Sequence, residues 1–192
     1  MKNIYRTFLP LLFWLLLCQL PALPGGYIVR QNLVWYHGLT KPPLVPPDIV
    51  FGMVWSILYL FLGISAFLLF RKGLQKHKKT AILFIIQLAL NMWWTPVFFG
   101  LHELTPALLL LVVMLAETFW LWKEARLKNG LAALLLVPYA GWLGFACYLN
   151  FGFWLQKAPG IQTGAFAKRI NALAVAVMAH QIKAYLHYLV KG

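Results

Sequence analysis

Trp35-Tyr-His-Gly-Leu-Thr-Lys-Pro-Pro-Leu-Val-Pro-Pro-Asp-Ile-Val-Phe-Gly-Met-Val-Trp-Ser-Ile-Leu-Tyr-Leu-Phe-Leu-Gly63 is the stretch that decides how the chain is read. Prolines at 42, 43, 46 and 47 fix φ and remove four backbone donors. The part up to Pro47 therefore cannot pair as a strand and reads as a rigid loop. Asp48 is a natural N-cap, and from Ile49 the chain is continuously apolar and helical. Trp55 and Tyr59 lie four residues apart and share one face of that helix. The loop carries Trp35 and Tyr36 to the mouth of whatever that face lines. A plain connector at a membrane surface, where Trp is common, has the same description.

Working outward, the whole chain reads as a membrane protein. Of 192 residues 62% are hydrophobic, only 11% are charged, and the mean hydropathy is +0.74. A soluble domain carries about 25% charged residues. The net charge of +13 would suggest nucleic acid in a soluble protein. Here the bases sit between apolar runs, so they read as topology signals and contacts to membrane lipid headgroups, with no nucleic-acid partner. Cys18 and Cys147 both fall inside apolar runs, which argues against a disulfide framework.

The fold class that follows is an all-α integral membrane protein: a five-helix bundle over residues 1–157 with a C-terminal extension, 158–192. Spans are expected at 4–23, 49–70, 80–100, 104–122 and 131–155. The first has a signal-peptide-like basic start, but its length suits the ~30 Å hydrocarbon core, and the motif resemblance given below requires a helix here, so it is expected as an uncleaved span. Pro96 should kink or unwind the third span near Met92. With five spans, ten bases flank the helices on the N-terminal side and five on the other. That bias predicts a cytoplasmic N-terminus in a bacterial inner membrane, with the Trp35 loop on the opposite face. In the extension, Arg169, His180, Lys183, His187 and Lys191 fall in one arc of a helical wheel. The stretch 165–191 is therefore expected to be an amphipathic helix lying on the membrane rather than a sixth span.

Three motifs carry a resemblance. They are Trp-Tyr-x-x-Leu-x-Lys-Pro…Phe-x-x-Val-Trp-x-x-Leu-Tyr from Trp35 to Tyr59, Leu90-Asn-x-x-Trp-x-Pro-x-Phe-Phe-Gly100, and Val137-Pro-Tyr-x-x-Trp-x-x-Phe-Ala-x-x-Leu-Asn150. Together they resemble the translocator protein family, also called tryptophan-rich sensory proteins or peripheral benzodiazepine receptors. They cover most of residues 35–154 in order and spacing. The resemblance implies porphyrin or haem-like tetrapyrrole ligands, no obligatory cofactor, and a homodimer. It also implies that isoquinoline and benzodiazepine compounds bind the same pocket. The ligand set it implies is Trp35, Trp55, Tyr59, Asn91, Trp94, Phe99, Trp142, Phe145 and Ala146. Positions matching Trp55 and Trp142 are tied in bacterial members to light-driven porphyrin breakdown, and the one matching Asn91 to ligand hydrogen bonding. The chain departs from the pattern after Asn150, where Phe151-Gly-Phe-Trp-Leu-Gln156 lacks the Tyr-then-Arg of a proposed cholesterol motif.

From the residues alone, Asn91 inside a span requires a hydrogen-bond partner, supplied either by a neighbouring helix or by a ligand. Trp55 and Trp142 lie within spans, where an interfacial belt does not explain them, and aromatic walls suit flat conjugated ligands by stacking. Core packing accounts for the same residues. Glu117, the one acid deep in a span, is expected to pair with Lys123 or a loop base. The five histidines are dispersed, and neither a phosphate loop nor a nucleophile elbow is found, which argues against acid–base catalysis and a metal site. Three functions remain: a tetrapyrrole receptor or sensor, a porphyrin-degrading enzyme using Trp55 and Trp142, and a small-molecule transporter.

Overall fold

The computed structural model describes residues 2–71 and 73–157, together with positions 172, 176 and 183. Apart from those three positions, the expected surface helix over 165–191 lies outside the described residues. Within them the protein is all-helical, and five helical stretches are long and apolar enough to cross a membrane: Thr7–Gln31, Asp48–Phe70, Lys78–Gly100, Leu104–Arg126 and Gly130–Lys157. The chain is an integral multi-pass membrane protein. The helices are α1 (Lys2–Gln19), α2 (Ala22–Gln31), α3 (Leu33–Gly38), α4 (Asp48–Phe70), α5 (Lys78–Thr95), α6 (Leu104–Arg126) and α7 (Gly130–Lys157).

The first span runs eight residues past its expected end at residue 23 and is built from two helices, α1 and α2, that meet at Leu20-Pro21. Gly25, Gly26 and Arg30 read as loop in the sequence. In the fold they stay helical because α2 packs on the end of α5, where a Cβ on Gly25 would stand 3.5 Å from Thr95 Oγ1. The Trp35 segment also differs from the rigid loop expected: Leu33–Gly38 forms the short helix α3, and only 39–47 is irregular. Asp48 is the first residue of α4 rather than its cap, and its carboxylate binds His37 Nε2 at 2.7 Å instead. It still lies at the positive end of the α4 dipole.

The break expected near Met92 lies further on: α5 stays α-helical through Thr95, and Pro96–Gly100 forms a π-helical turn in which the Leu101 N–H donates to the Pro96 carbonyl at 2.8 Å. The fourth and fifth spans extend beyond their apolar runs into the flanking bases. Lys123 Nζ lies over the Phe119 ring at 4.5 Å and Arg126 Cζ over Trp122 at 4.8 Å, so these cations cover aromatic faces at the helix end.

The spans close into a ring. α1 packs on α4, α4 on α7, α7 on α6, α6 on α5, and α2 returns to α5 and its π-helical turn. Gly63 sets the α1–α4 crossing, since a Cβ there would meet the Leu15 Cα at 2.9 Å and the Trp14 carbonyl oxygen at 3.1 Å. Such close approach through small residues is how helices gain contact in lipid, where no hydrophobic force joins them. Ser65 Oγ donates to the Ala132 carbonyl at 2.9 Å and joins α4 to α7. With α1 tight against α4 and α2 leaning toward α5, a wedge is left between α2 and α4, and a cavity occupies it.

Candidate functional site: an aromatic cavity inside the ring

At the centre of the ring, α5 and α7 are joined by polar side chains in an apolar surrounding. Gln87 Nε2 and Asn91 Nδ2 both donate to the Tyr139 hydroxyl, the latter at 2.6 Å, and Asn91 Nδ2 also reaches the Gln87 carbonyl at 3.0 Å. Asn91 is 3% exposed and Tyr139 fully buried, so these bonds answer the cost of amides in a span. They use Asn91's nitrogen and leave its Oδ1 without a partner among the described residues. The helix-joining reading of Asn91 is met by its nitrogen.

Above this cluster lies a cavity of about 870 Å³. Trp55 and Tyr59 of α4, Asn91 and Trp94 of α5, Phe99 of the π-helical turn and Ala146 of α7 all line it. Trp55 is the hub, with ring centroids 5.5 Å from Tyr59 and 6.3 Å from Trp94. Trp94 stacks on Phe98 at 5.3 Å, which extends a continuous aromatic wall. Three of the expected residues stand elsewhere. Trp142 is behind Trp55, edge-on at 6.5 Å. Phe145 packs against Trp142 and Tyr148. Trp35 stacks flat on His102 at 4.0 Å. It is Tyr36, its neighbour on α3, that turns inward and lines the cavity.

A lid closes one end. His102 Nε2 pairs with Asn32 Oδ1 at 2.9 Å, fixing the α2–α3 junction to the turn after the third span. Tyr148 donates to the Pro43 carbonyl at 3.0 Å, and Pro42 sits so close to Gly152 that a Cβ there would fall 2.5 Å from the proline Cβ. Burial, with the Asp48 carboxylate adding to it, pushes the Tyr36 hydroxyl up to about 12. At any physiological pH it is therefore a neutral phenol facing the cavity. On the side between α2 and α4 the lining includes Gly26, Gly52, Met53 and Ile57, all exposed in the bundle.

The sequence profile of the TspO/MBR family matches residues 8–155. The chain belongs to that family. It is 32% identical over 139 residues to the tryptophan-rich protein TspO of Archaeoglobus fulgidus, covering 70% of this chain and 88% of that one. It is 38% identical over 130 residues to protein CrtK of Rhodobacter capsulatus, covering 66% and 79%. With the translocator protein of Ovis aries it shares 37% over 152 residues, covering 73% and 88%.

Within this TspO/MBR chain the cavity also recruits residues that the motifs did not single out as site residues. Phe98, Leu149, Asn150 and Phe153 line it, and Arg30 and Asp48 stand at its rim. Asn150 is the most informative, because it is 1% exposed and neither side-chain atom has a partner among the described residues. A buried amide in a span is itself a signal, and it stood in the fifth-helix motif unread. Trp94 Nε1 is likewise without a partner among the described residues. Glu117 corrects an expectation. Lys123 lies over Phe119, and Glu117 is 5% exposed with both oxygens unpartnered among the described residues. The acid that pairs with bases is Glu124, which binds Lys79 at 2.7 Å and Lys128 at 2.8 Å.

Proposed function

We propose that this protein is a membrane receptor or sensor whose aromatic cavity binds a flat, conjugated, largely apolar molecule of the tetrapyrrole class. The observation that carries the reading is the cavity itself. At about 870 Å³ it lies toward the upper end of the ~300–1,000 Å³ of small-molecule sites, so it suits a fused multi-ring ligand better than a single ring. Its walls, Trp55, Tyr59, Trp94, Phe98 and Phe99, offer π faces, and Asn91 and Asn150 supply the few polar groups that fix orientation. An apolar ligand partitions into the bilayer first, and the side between α2 and α4 faces lipid. Membership of the TspO/MBR family supports a sensor or receptor role in a membrane.

Tryptophan fluorescence titrated with a panel of porphyrins tests this in purified full-length protein. Trp94→Ala and Asn91→Ala should each weaken binding, the aromatic loss by on the order of 1 kcal/mol, about fivefold. If both variants bind like the parent, the ligand lies elsewhere. One observation favours porphyrin breakdown as a second reading: Trp142 backs Trp55 edge-on, placing a second oxidisable indole directly behind the one that lines the cavity. Loss of porphyrin absorbance under light but not in darkness, abolished by Trp55→Phe, would separate that activity from binding alone.

A further inference from the structure

A second, smaller pocket lies at the opposite end of the bundle from the lid. It is about 130 Å³, lined by Leu68, Leu69, Arg71, His77, Lys128 and Asn129. We propose that it is a phosphate site, occupied by the headgroup phosphate of an anionic lipid or by a free phosphate ion. Three chain segments meet there: the end of α4, the turn leading into α5, and the α6–α7 connection. Gly73, at φ 103°, returns the chain after α4, its N–H donating to the Phe70 carbonyl at 2.8 Å. That turn brings Arg71 and His77 to one pocket. From the other side, the Asn129 Oδ1 accepts from the Ala132 N–H at 3.0 Å and starts α7, which fixes Lys128 beside it.

The helix ends do not decide the sign of the potential, because α4 and α6 finish at the pocket while α5 and α7 begin there, and their dipoles oppose one another. The side chains decide it. Arg71 has no carboxylate partner among the described residues. Lys128 binds Glu124, but that carboxylate is shared with Lys79, so two cations face one anion. In the sequence of these segments, Arg71, Lys72, Lys76, Lys78, Lys79, Lys123, Arg126 and Lys128 are answered by Glu124, since the other acids between residues 71 and 128 are Glu103 and Glu117. Those two belong to the far end and the interior of the bundle. The lining residues Arg71, His77 and Lys128 carry a guanidinium, an imidazole and an ammonium, the ammonium donating to the Glu124 carboxylate at 2.8 Å and carbonyl at 3.1 Å and keeping one donor for a phosphate oxygen. The leucines beneath suit the glycerol and acyl carbons of a lipid. Basic pockets between membrane helices recognise anionic headgroups in this way.

Native mass spectrometry of the full chain in neutral detergent, mixed with phosphatidylglycerol or phosphatidylcholine, tests the proposal. The parent should retain phosphatidylglycerol in preference to phosphatidylcholine, and Arg71→Gln and Lys128→Gln should each reduce that retention about fivefold. Lys157→Gln, at the end of α7 away from the pocket, should not. Inorganic phosphate distinguishes the sources. Displacement of the lipid by millimolar phosphate supports a site for the free ion, and lipid retained against phosphate supports a headgroup site. Lys128→Gln also disturbs the Glu124 pair, so if it fails to fold, Arg71→Gln and His77→Gln decide together. Unchanged retention in those two, or an equal loss in Lys157→Gln, overturns the proposal.

Discussion

Replacing Tyr139 by Phe removes one oxygen from the middle of the bundle, and the structure says what that oxygen does. It accepts from two amides, Gln87 and Asn91, and so fastens α5 to α7. The losses are unequal. Asn91 Nδ2 keeps its bond to the Gln87 carbonyl, whereas Gln87 Nε2 has no other acceptor among the described residues. In water, stranding a buried donor costs about 1–3 kcal/mol. Between membrane helices one hydrogen bond averages only ~0.6 kcal/mol, with a maximum of ~1.7, because the separated helices find other partners in the bilayer. One bond lost outright and one in part therefore give about 1 kcal/mol of destabilisation, and less than about 3. The ring stays filled by phenylalanine, so no cavity term adds to this. Reversible denaturation in mixed micelles, followed by circular dichroism, measures the change. The second effect is on the site: with its nitrogen less constrained, Asn91 should orient its oxygen less well, and porphyrin affinity should fall several-fold while helicity stays constant. Unchanged stability together with unchanged affinity would refute the role given to this cluster.

Other perturbations probe the frame. Gly63→Ala places a methyl carbon 2.9 Å from the Leu15 backbone, so α1 and α4 must separate, and thermal stability should drop by about 1–3 kcal/mol in the same assay. Gly152→Ala pushes on Pro42 instead, at 2.5 Å. It should loosen the lid, seen as faster porphyrin release with little change in melting, and an unaltered release rate counts against a lid role for 39–47. An introduced Gly38→Cys should be labelled by an impermeant thiol reagent in whole cells or spheroplasts, and labelling only after lysis reverses the orientation.

The architecture was legible because membrane physics leaves few choices: five apolar runs separated by bases and prolines read directly as five spans. The end of the first span was not, because Gly25, Gly26 and Arg30 look like loop until α5 stands against them. The same holds for α3, a helix too short to show periodicity, held by the His37–Asp48 and Asn32–His102 contacts between distant residues. Among the site residues, the helix-face argument correctly grouped Trp55 with Tyr59, because four-residue spacing fixes their relation. The rotation of α7 about its axis is set by packing: the resemblance puts Trp142, Phe145 and Ala146 together in the ligand set, whereas Ala146 and Asn150 face the cavity and Trp142 stands behind Trp55. Ala146 and Asn150 are themselves four residues apart, so the inward face of α7 was present in the sequence, but its phase was set only by packing. Trp35 and Tyr36 show the same limit: adjacency in sequence placed both at the mouth, and the helical turn of α3 sends one to His102 and the other inward.

The central claim, that the cavity between α2, α4, α5 and α7 is the ligand site, is tested most directly by a porphyrin bearing a photoreactive diazirine. It would be crosslinked to the full chain in lipid nanodiscs and mapped by peptide mass spectrometry. Adducts concentrated on residues 49–59, 91–99 and 146–153, and lost on competition with unmodified porphyrin, are the predicted result. Adducts spread over exposed side chains outside the cavity such as Trp93 and Trp120, or insensitive to competition, would contradict the claim.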